Sequence, residues 1–217
     1  MNEREFTPAL GRFAPARYID LAVALTRERL WRSLAVACAA PRPGDVVVDV
    51  GCGTGTLLRA VLRVEPSVTA IGVDPDPTLL ELARRKLDAA GATAQWHAAM
   101  GDELTTVVEP GSVDVVMSSL VLHQCPVAVK RAVLDSMHAA LRPGGRLVIA
   151  DFGRQRSRLM RAAFRLVQLV DGAADTQPNA DGIVPELMVE AGFRDVREPE
   201  SVSTVSGSIS IHVARRP

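Results

Sequence analysis

Residues 46–56 read VVVDVGCGTGT, a mostly apolar run that leads directly into three closely spaced glycines. Such a run is typical of a buried parallel strand, and the glycines indicate a tight turn whose bare backbone a ligand can approach without meeting a Cβ atom. A helical pattern follows the turn. The stretch therefore predicts a ligand site at the carboxyl edge of an α/β sheet, although a tight connection without a ligand is the alternative on this motif alone.

Outward from this stretch, short runs rich in Val and Ile alternate with helical patterns, which is the signature of parallel strands joined by crossover helices. In DPDPTLLELARRKLDAAG, Asp76 can cap a helix, Pro77 suits its first turn and Gly91 its exit. A second helix begins near Pro126 and must end at the RPGG run of residues 142–145, because proline and paired glycines stop a helix. The predicted core strands are residues 46–50, 69–73, 93–96, 113–118 and 146–150.

The C-terminal part adds two further strands and a helix to the prediction. Residues 193–200 and 208–216 are predicted as an antiparallel pair, which completes a doubly wound, Rossmann-like α/β fold with a mostly parallel seven-stranded sheet. Residues 157–170 predict a helix with arginines on one stripe, which could face solvent, roof a substrate pocket, pair with another subunit or touch a membrane surface. Residues 172–182, rich in Ala, Asp and Gly, are predicted to form a mobile loop.

The composition excludes several classes of protein. The 25 basic and 25 acidic residues balance, so no net positive field exists to gather phosphate backbones, as a dedicated nucleic-acid binder requires. No apolar stretch approaches the roughly 20 residues that cross a bilayer, and the first residues lack an apolar secretory core, so we expect a cytoplasmic protein without an integral membrane segment. Three widely spaced cysteines predict neither a disulfide framework nor a metal site.

The glycine spacing and two later acidic residues narrow the ligand. No Lys-Ser/Thr pair follows the glycines, which disfavours a P-loop, and Thr56 stands where the dinucleotide fingerprint needs a third small residue. Asp74, at the end of the second predicted strand, can accept hydrogen bonds from both hydroxyls of a ribose, or it only begins the DPDP turn. Asp102, after the third predicted strand, could recognise an adenine edge, whereas alone it is a surface acid.

In order along the chain, VDVGCGTG, GVDP, GDE, SVDVVMSSLVLHQ and LRPGGRLVIAD resemble the motifs of class I S-adenosylmethionine-dependent methyltransferases. The pattern is most similar to the branch typified by quinone and menaquinone C-methyltransferases, from about Phe6 to the C terminus. The resemblance implies an enzyme, monomeric or homodimeric, that transfers a methyl group from S-adenosylmethionine to a small, partly apolar acceptor. A non-catalytic protein that binds the same cofactor as a sensor or partner subunit is the alternative.

The resemblance also assigns parts of the cofactor to particular residues. It implies that Asp49 and the glycine loop hold the methionine part, the GVDP motif the ribose and the GDE motif the adenine. The backbone of Ser118 would meet the amino group and Tyr18 the carboxylate, with Tyr18-Ile19-Asp20 standing where the family usually has adjacent Tyr-Asp. The predicted cofactor-binding set is Tyr18, Asp49, Gly51, Cys52, Gly53, Thr54, Gly55, Asp74, Pro75, Asp102, Glu103 and Ser118.

The length of 217 residues fits one domain with a full core. Within this single methyltransferase domain we predict four parts with different tasks. They are N-terminal helices that cover the site (residues 1–44), a cofactor-binding core (45–153), a helical cover over the acceptor site (154–192) and terminal strands (193–217).

Methyl transfer from a sulfonium is an in-line displacement, so the main task is to hold a nucleophile opposite the sulfur in a site closed to water. A general base helps only an acceptor that must lose a proton early. His123, just beyond the fourth predicted strand, is the candidate base, and a structural role in the next helix is an equal alternative. Asp151 is a secondary candidate whose ordinary task is to accept backbone hydrogen bonds, and Cys125 raises the alternative of thiol chemistry.

Overall fold

The computed structural model describes residues 27–217, which form a seven-stranded sheet with helices on both faces. The strands are β1 (Val46–Val50), β2 (Thr69–Val73), β3 (Gln95–His97), β4 (Val113–Ser119), β5 (Leu141–Phe152), β6 (Arg194–Thr204) and β7 (Gly207–Arg215). The helices are α1 (Glu28–Ala39), α2 (Thr56–Val64), α3 (Pro77–Asp88), α4 (Val127–Ala140), α5 (Arg158–Asp171), α6 (Ala173–Asp181) and α7 (Val184–Glu190), with 3₁₀ helices at Gly101–Thr106 and Leu122–Gln124.

The strand order across the sheet is β3-β2-β1-β4-β5-β7-β6. Neighbouring strands among the first five are parallel, and β7 runs antiparallel to both β5 and β6. This arrangement confirms the predicted doubly wound fold with its C-terminal antiparallel pair. None of the helices within residues 27–217 is long and apolar enough to cross a membrane.

Two of the predicted core strands have the observed bounds, and the largest difference is in β5. The prediction began this strand at residue 146, whereas the observed strand begins at Leu141 and includes the RPGG run. Val113 of β4 pairs with Leu141 and Val115 pairs with Arg146, so the run is accommodated by a shift of register. Proline and glycine stop the preceding helix as expected, but they do not prevent an extended chain.

The alternation of side chains along β1 sends its residues into two separate cores. Val47 packs in the core beneath α1 and α2, where Trp31 is the largest fully buried side chain, and Val48 and Val50 pack in the core beneath α4 and α7. Successive side chains of a strand point to opposite faces. Asp49 therefore points to the same face as Val47, the face that α1 covers.

Strand β7 lies inside the sheet, between β5 and β6. Its apolar residues alternate as the sequence indicates, yet the polar residues of the other face are buried as well, including Ser208, Ser210 and His212. Ser210 donates a hydrogen bond to Glu198 Oε1 at 3.0 Å. In β7 the alternation of apolar and polar residues therefore separates two buried faces, one apolar and one polar, and neither face is exposed to solvent.

The prediction of a mobile loop at residues 172–182 is wrong, because this stretch contains helix α6. Thr176 Oγ1 donates to the carbonyl oxygen of Gly172 at 2.6 Å, and Asn179 Nδ2 donates to the carbonyl oxygen of Phe152 at 3.0 Å. Both side chains are fully buried. The bond from Asn179 to Phe152 of β5 and the burial of both side chains therefore outweigh the weak helix propensity of a segment that includes Pro178.

Candidate functional site

The candidate site lies at the carboxyl edge of the sheet, between β1 and β4. This is the point where the chain turns in opposite directions, since α2 leads from β1 to β2 and α4 leads from β4 to β5. Open α/β sheets bind ligands in the crevice at such a point. Two loops border it: the glycine loop (residues 51–55) after β1 and the β4 loop (residues 120–125) after β4.

The three glycines of the glycine loop serve different purposes. All three have positive φ angles, 69° for Gly51, 51° for Gly53 and 68° for Gly55. A Cβ atom on Gly51 would lie 2.2 Å from a methyl group of Val121, and one on Gly55 would lie 2.8 Å from the ring of Trp96. A Cβ atom on Gly53 would meet nothing within 4 Å. Packing therefore requires the first and third glycines, while Gly53 leaves the loop open to a ligand.

Asp74 connects the end of β2 to the glycine loop. Its Oδ2 accepts a hydrogen bond from the Gly53 N–H at 2.8 Å, and its Oδ1 accepts one from the Asp76 N–H at 2.9 Å. Burial raises the pKa of this carboxyl, while the two backbone hydrogen bonds oppose that change. The residue thus begins the DPDP turn and also orders the loop, and each oxygen keeps a lone pair for a further donor such as a ribose hydroxyl.

Asp49 is the least satisfied polar side chain at this edge. It is fully buried, and neither carboxylate oxygen has a hydrogen-bond partner among residues 27–217. Burial raises its pKa to about 7, helped by Asp74 and opposed by Arg32 of α1. Arg32 itself pairs with Glu28 at 2.6 Å. An uncompensated buried carboxylate is costly, so a cationic group of a ligand would find a strong partner here.

Two further predicted residues use their side chains within the protein. Ser118 Oγ donates to the carbonyl oxygen of Val50 at 2.8 Å and so ties β4 to β1. The Cys52 thiol is buried toward Gly72, where an added Cβ atom would lie 2.9 Å from Sγ, and burial raises its pKa. For both residues, the backbone is the part that remains for contact with a ligand.

The GDE motif forms the start of the 3₁₀ helix at Gly101–Thr106, beside the end of β1. A Cβ atom on Gly101 would lie 3.0 Å from Val50 Cγ1, so this turn packs directly against that strand. Asp102 is half-buried and Glu103 is exposed. Tyr18, the remaining predicted contact, lies outside the described residues.

The His123 ring is buried between two carboxylates. Its Nδ1 lies 2.7 Å from Asp151 Oδ1 and its Nε2 lies 3.4 Å from Asp171 Oδ2. Burial disfavours the charged ring, but the two carboxylates outweigh burial and raise the pKa of His123 to about 9. An imidazolium has no lone pair with which to accept a proton, so this geometry favours a structural contribution near neutral pH.

Asp151 holds the β4 loop in place. Its Oδ2 accepts hydrogen bonds from the backbone N–H groups of Val121, Leu122 and His123 at 3.1, 2.7 and 3.3 Å. The same loop contains Leu120 with a φ of 56°, a backbone angle that costs about 1–3 kcal/mol outside glycine. The carboxylate therefore stabilises a strained loop, which agrees with the backbone role expected of it.

Sequence reasoning missed two lysines that brace the site. Lys86 of α3 donates to both Thr54 Oγ1 and Thr56 Oγ1 at 2.8 Å and so fixes the end of the glycine loop. Lys130 of α4 is fully buried and donates to the carbonyl oxygens of Cys125 and Asp175. No local pattern could indicate the contacts of Lys86 with the glycine loop or of Lys130 with Asp175, because both join elements that are far apart in the chain.

Fold and site together define a class of protein. A doubly wound sheet with an open glycine loop, a buried carboxylate at the end of β1 and an acidic residue after β2 is suited to an adenosyl cofactor that carries a cationic group. In agreement with this, residues 47–145 match the methyltransferase domain family.

Individual relatives give the same result. Over 212 aligned residues the chain is 28% identical to the demethylmenaquinone methyltransferase of Symbiobacterium thermophilum. This alignment spans 86% of this chain and 82% of that protein. The chain is 28% identical over 137 residues to a ubiquinone/menaquinone biosynthesis C-methyltransferase of Cereibacter sphaeroides, across 63% of this chain and 54% of that protein. The structure of an O-methyltransferase family protein from Burkholderia thailandensis shares the fold, with a TM-score of 0.69, 22% identity, and coverage of 93% and 59% of the two chains.

Residues 47–145 thus form a methyltransferase domain, and the comparisons support a class I S-adenosylmethionine-dependent methyltransferase that is similar to the ubiquinone/menaquinone C-methyltransferase branch. This confirms the predicted family and its cofactor. The chain spans between 38% and 55% of the length of several curated relatives that it matches. The assignments of individual site residues stay predictions.

Proposed function

We propose that the protein transfers a methyl group from S-adenosylmethionine to a small, partly apolar acceptor. The single observation that carries the proposal is Asp49, a fully buried carboxylate without a partner among residues 27–217. It lies directly before an open glycine loop at the point where the strand order reverses. The ammonium group of a methionine moiety is a partner of the right charge and size.

The other predicted residues hold the remaining parts of the donor. Asp74 and Pro75 bind the ribose, Asp102 and Glu103 bind the adenine, and the backbone of residues 51–55 lies against the methionine part. When bound, S-adenosylmethionine supplies a methyl group on a positively charged sulfur. The protein's contribution is to orient that sulfur toward the acceptor and to exclude water.

The acceptor side is formed by the β4 loop and by the cover at residues 154–192. Phe152 stands edge-on to the His123 ring at 5.0 Å between centroids, and it lies 5.1 Å from the ring of Phe164 on α5. Both phenylalanine rings are buried, so they pack α5 of the cover against the β4 loop. The similarity to ubiquinone/menaquinone C-methyltransferases supports an acceptor with an apolar portion. His123 as a general base, the four-part division of the domain and a cytoplasmic location stay predictions.

Calorimetric titration tests the donor. We expect S-adenosylmethionine and S-adenosylhomocysteine to bind, and NAD not to bind, because the loop lacks the glycine spacing of a dinucleotide site. Tight binding of NAD together with absence of binding by S-adenosylhomocysteine would overturn the proposal.

A panel of quinols, phenols, amines and thiols with isotopically labelled donor then tests transfer. Labelled product with at least one apolar member of the panel supports the enzyme. Binding of the donor without labelled product from any member would instead favour a non-catalytic sensor or partner subunit.

A further inference from the structure

The carboxylate–imidazolium–carboxylate arrangement at His123 joins two separate parts of the fold. Asp151 belongs to β5, an inner strand of the sheet, whereas Asp171 is the last residue of α5, in the cover. The side chains of His123 and Asp151 are 5% and 1% exposed, and that of Asp171 is 21% exposed. A buried charged ring thus spans the boundary between sheet and cover.

The contact of His123 with Asp151 and its contact with Asp171 respond differently to loss of the ring proton. The imidazolium donates from both nitrogens, whereas the neutral ring donates from only one. Asp151 lies closer, at 2.7 Å, so the neutral ring keeps its proton on Nδ1. Nε2 then presents a lone pair to the Asp171 carboxylate 3.4 Å away. Deprotonation therefore breaks the contact on the cover side only.

The neighbouring charged groups support the same connection. Lys130 reaches from α4 to the carbonyl oxygen of Asp175 at 2.7 Å, just after the α5–α6 corner. Other titratable groups around Asp151 and the β4 loop include Cys125, whose pKa burial raises to about 11, His212, whose pKa burial lowers, and the carboxyls of Asp102 and Asp175, which act on Cys125. Cys125 and His212 are neutral near pH 7, so His123 and Lys130 are the cations beside this corner.

We infer that Asp171 and His123 are a positioning pair that holds the α5–α6 corner closed against the β4 loop, and that the acceptor binds to this closed form. The inference rests on the proposed methyl transfer, because the closed cover is what excludes water from the reacting groups. It assigns Asp171, a residue that no sequence motif indicates, to the acceptor side of the site.

The dependence on pH separates this role from general-base catalysis. A general base becomes active as it loses its proton, so the rate would rise as pH increases through the pKa of about 9. The positioning pair requires the protonated ring, so kcat/KM for the acceptor falls above that pH. A rise in kcat/KM through pH 9 would overturn the inference.

The substitution Asp171→Asn tests the pair, with Asp181→Asn at the end of α6 as the matched control. We expect Asp171→Asn to raise KM for the acceptor about tenfold, to leave the affinity for S-adenosylhomocysteine within twofold, and to move both the His123 pKa and the upper limb of the pH profile to lower pH. Histidine ring-proton NMR gives the pKa directly. An unchanged His123 pKa, or equal effects of the two substitutions, would contradict the pair.

A readout without turnover keeps this test separate from the proposed function. Amide hydrogen exchange at pH 7 reports opening of residues 158–181 whether or not an acceptor is known. We expect faster exchange in Asp171→Asn than in the wild type, and no change in Asp181→Asn. If S-adenosylhomocysteine does not bind but this difference in exchange persists, the proposed function is wrong and the closure stands. If exchange in Asp171→Asn is the same as in the wild type, the inferred closure is wrong.

Discussion

At the scale of single residues, the most informative feature is the unpaired charge of Asp49. A carboxyl with a folded pKa of about 7 and an ordinary value of 3.8 binds its proton more tightly in the folded state. Folding stability therefore falls as pH rises from about 4 to 7, because charging the group is opposed by its burial. A cationic ligand beside Asp49 would instead favour the charged form of this carboxyl.

The substitution Asp49→Asn separates binding from stability. We expect the affinity for S-adenosylhomocysteine to fall about 10- to 100-fold, since a hydrogen bond to a charged group is worth about 1.5–3 kcal/mol. The free energy of unfolding should not fall, and its decrease between pH 4 and 7 should become shallower. Calorimetric titration and denaturant unfolding measure the two effects.

The matched control for this substitution is Asp88→Asn, at the exposed end of α3. It should leave both quantities unchanged. The wild type should also release protons when S-adenosylhomocysteine binds at pH 6, which titrations in buffers of different ionisation enthalpy detect. Unaltered affinity in Asp49→Asn would argue against Asp49 as the partner of the ammonium group.

The glycine loop allows a second comparison between two residues of the same type. In Gly51→Ala the new Cβ atom would lie 2.2 Å from Val121 Cγ2 at a φ of 69°, so we expect a loss of stability of roughly 2–4 kcal/mol. In Gly53→Ala it meets nothing within 4 Å, so only about 1 kcal/mol of backbone strain is expected. Thermal unfolding measures both effects.

The affinity for the cofactor tests the Gly53→Ala variant separately from its stability. We expect Gly53→Ala to remain folded and to bind S-adenosylhomocysteine at least tenfold more weakly, because its methyl group occupies the open side of the loop. Wild-type affinity in a folded Gly53→Ala variant would show that the ligand approaches elsewhere.

At the scale of elements, helix α5 has two apolar faces with different surroundings. Phe164 is buried toward the sheet, whereas four large apolar residues point outward with exposures of 67% to 83%. Arg158 and Arg165 lie beside this outward stripe and make no ion pair with any described residue. Leucines flanked by unpaired arginines are suited to an anionic lipid surface. The outward apolar residues are Leu159, Leu166, Leu169 and Val170.

Vesicle sedimentation tests this face of α5. We expect the protein to bind vesicles that contain phosphatidylglycerol more strongly than vesicles of phosphatidylcholine alone, and the double variant Leu166→Ser, Leu169→Ser to lose most of this binding. Val64→Ser with Leu82→Ser, exposed on α2 and α3, serves as the control. Equal binding by the two double variants, or a self-association abolished only by the α5 changes, would contradict a lipid partner.

At the scale of the whole molecule, the donor site joins both halves of the sheet. The glycine loop follows β1, Asp74 follows β2 and Ser118 lies in β4, so a bound cofactor should stabilise the fold as one unit. Ligand at 100 times its Kd contributes about 2.7 kcal/mol. For a chain of 217 residues we expect S-adenosylhomocysteine to raise Tm by roughly 5–11 °C.

NAD at the same concentration serves as the control compound in this thermal unfolding experiment. NAD should leave Tm unchanged if the loop excludes a dinucleotide. A similar rise with both compounds, or no rise with S-adenosylhomocysteine at a concentration that calorimetry shows to be saturating, would be inconsistent with a donor site that spans the sheet.

The sequence by itself determined the features that depend on near neighbours. The apolar runs of β1 and β2, the glycine turn between β1 and α2, and the Asp76 cap with its 2.8 Å bond to Thr78 are local. The order of the motifs then identified the family. Residues a few positions apart carry this information, because strand alternation, helix capping and turn angles depend on adjacent dihedral angles.

Only the tertiary structure decided the features whose partners are distant in the chain. His123 meets Asp151 after 28 residues, Lys86 meets Thr54 after 32, and α6 is a helix through its contacts with the sheet edge and α4. The same cause explains the missed candidates and the mistaken loop. Burial, charge pairing and packing depend on which elements the fold brings together, and a local sequence pattern does not indicate which elements those are.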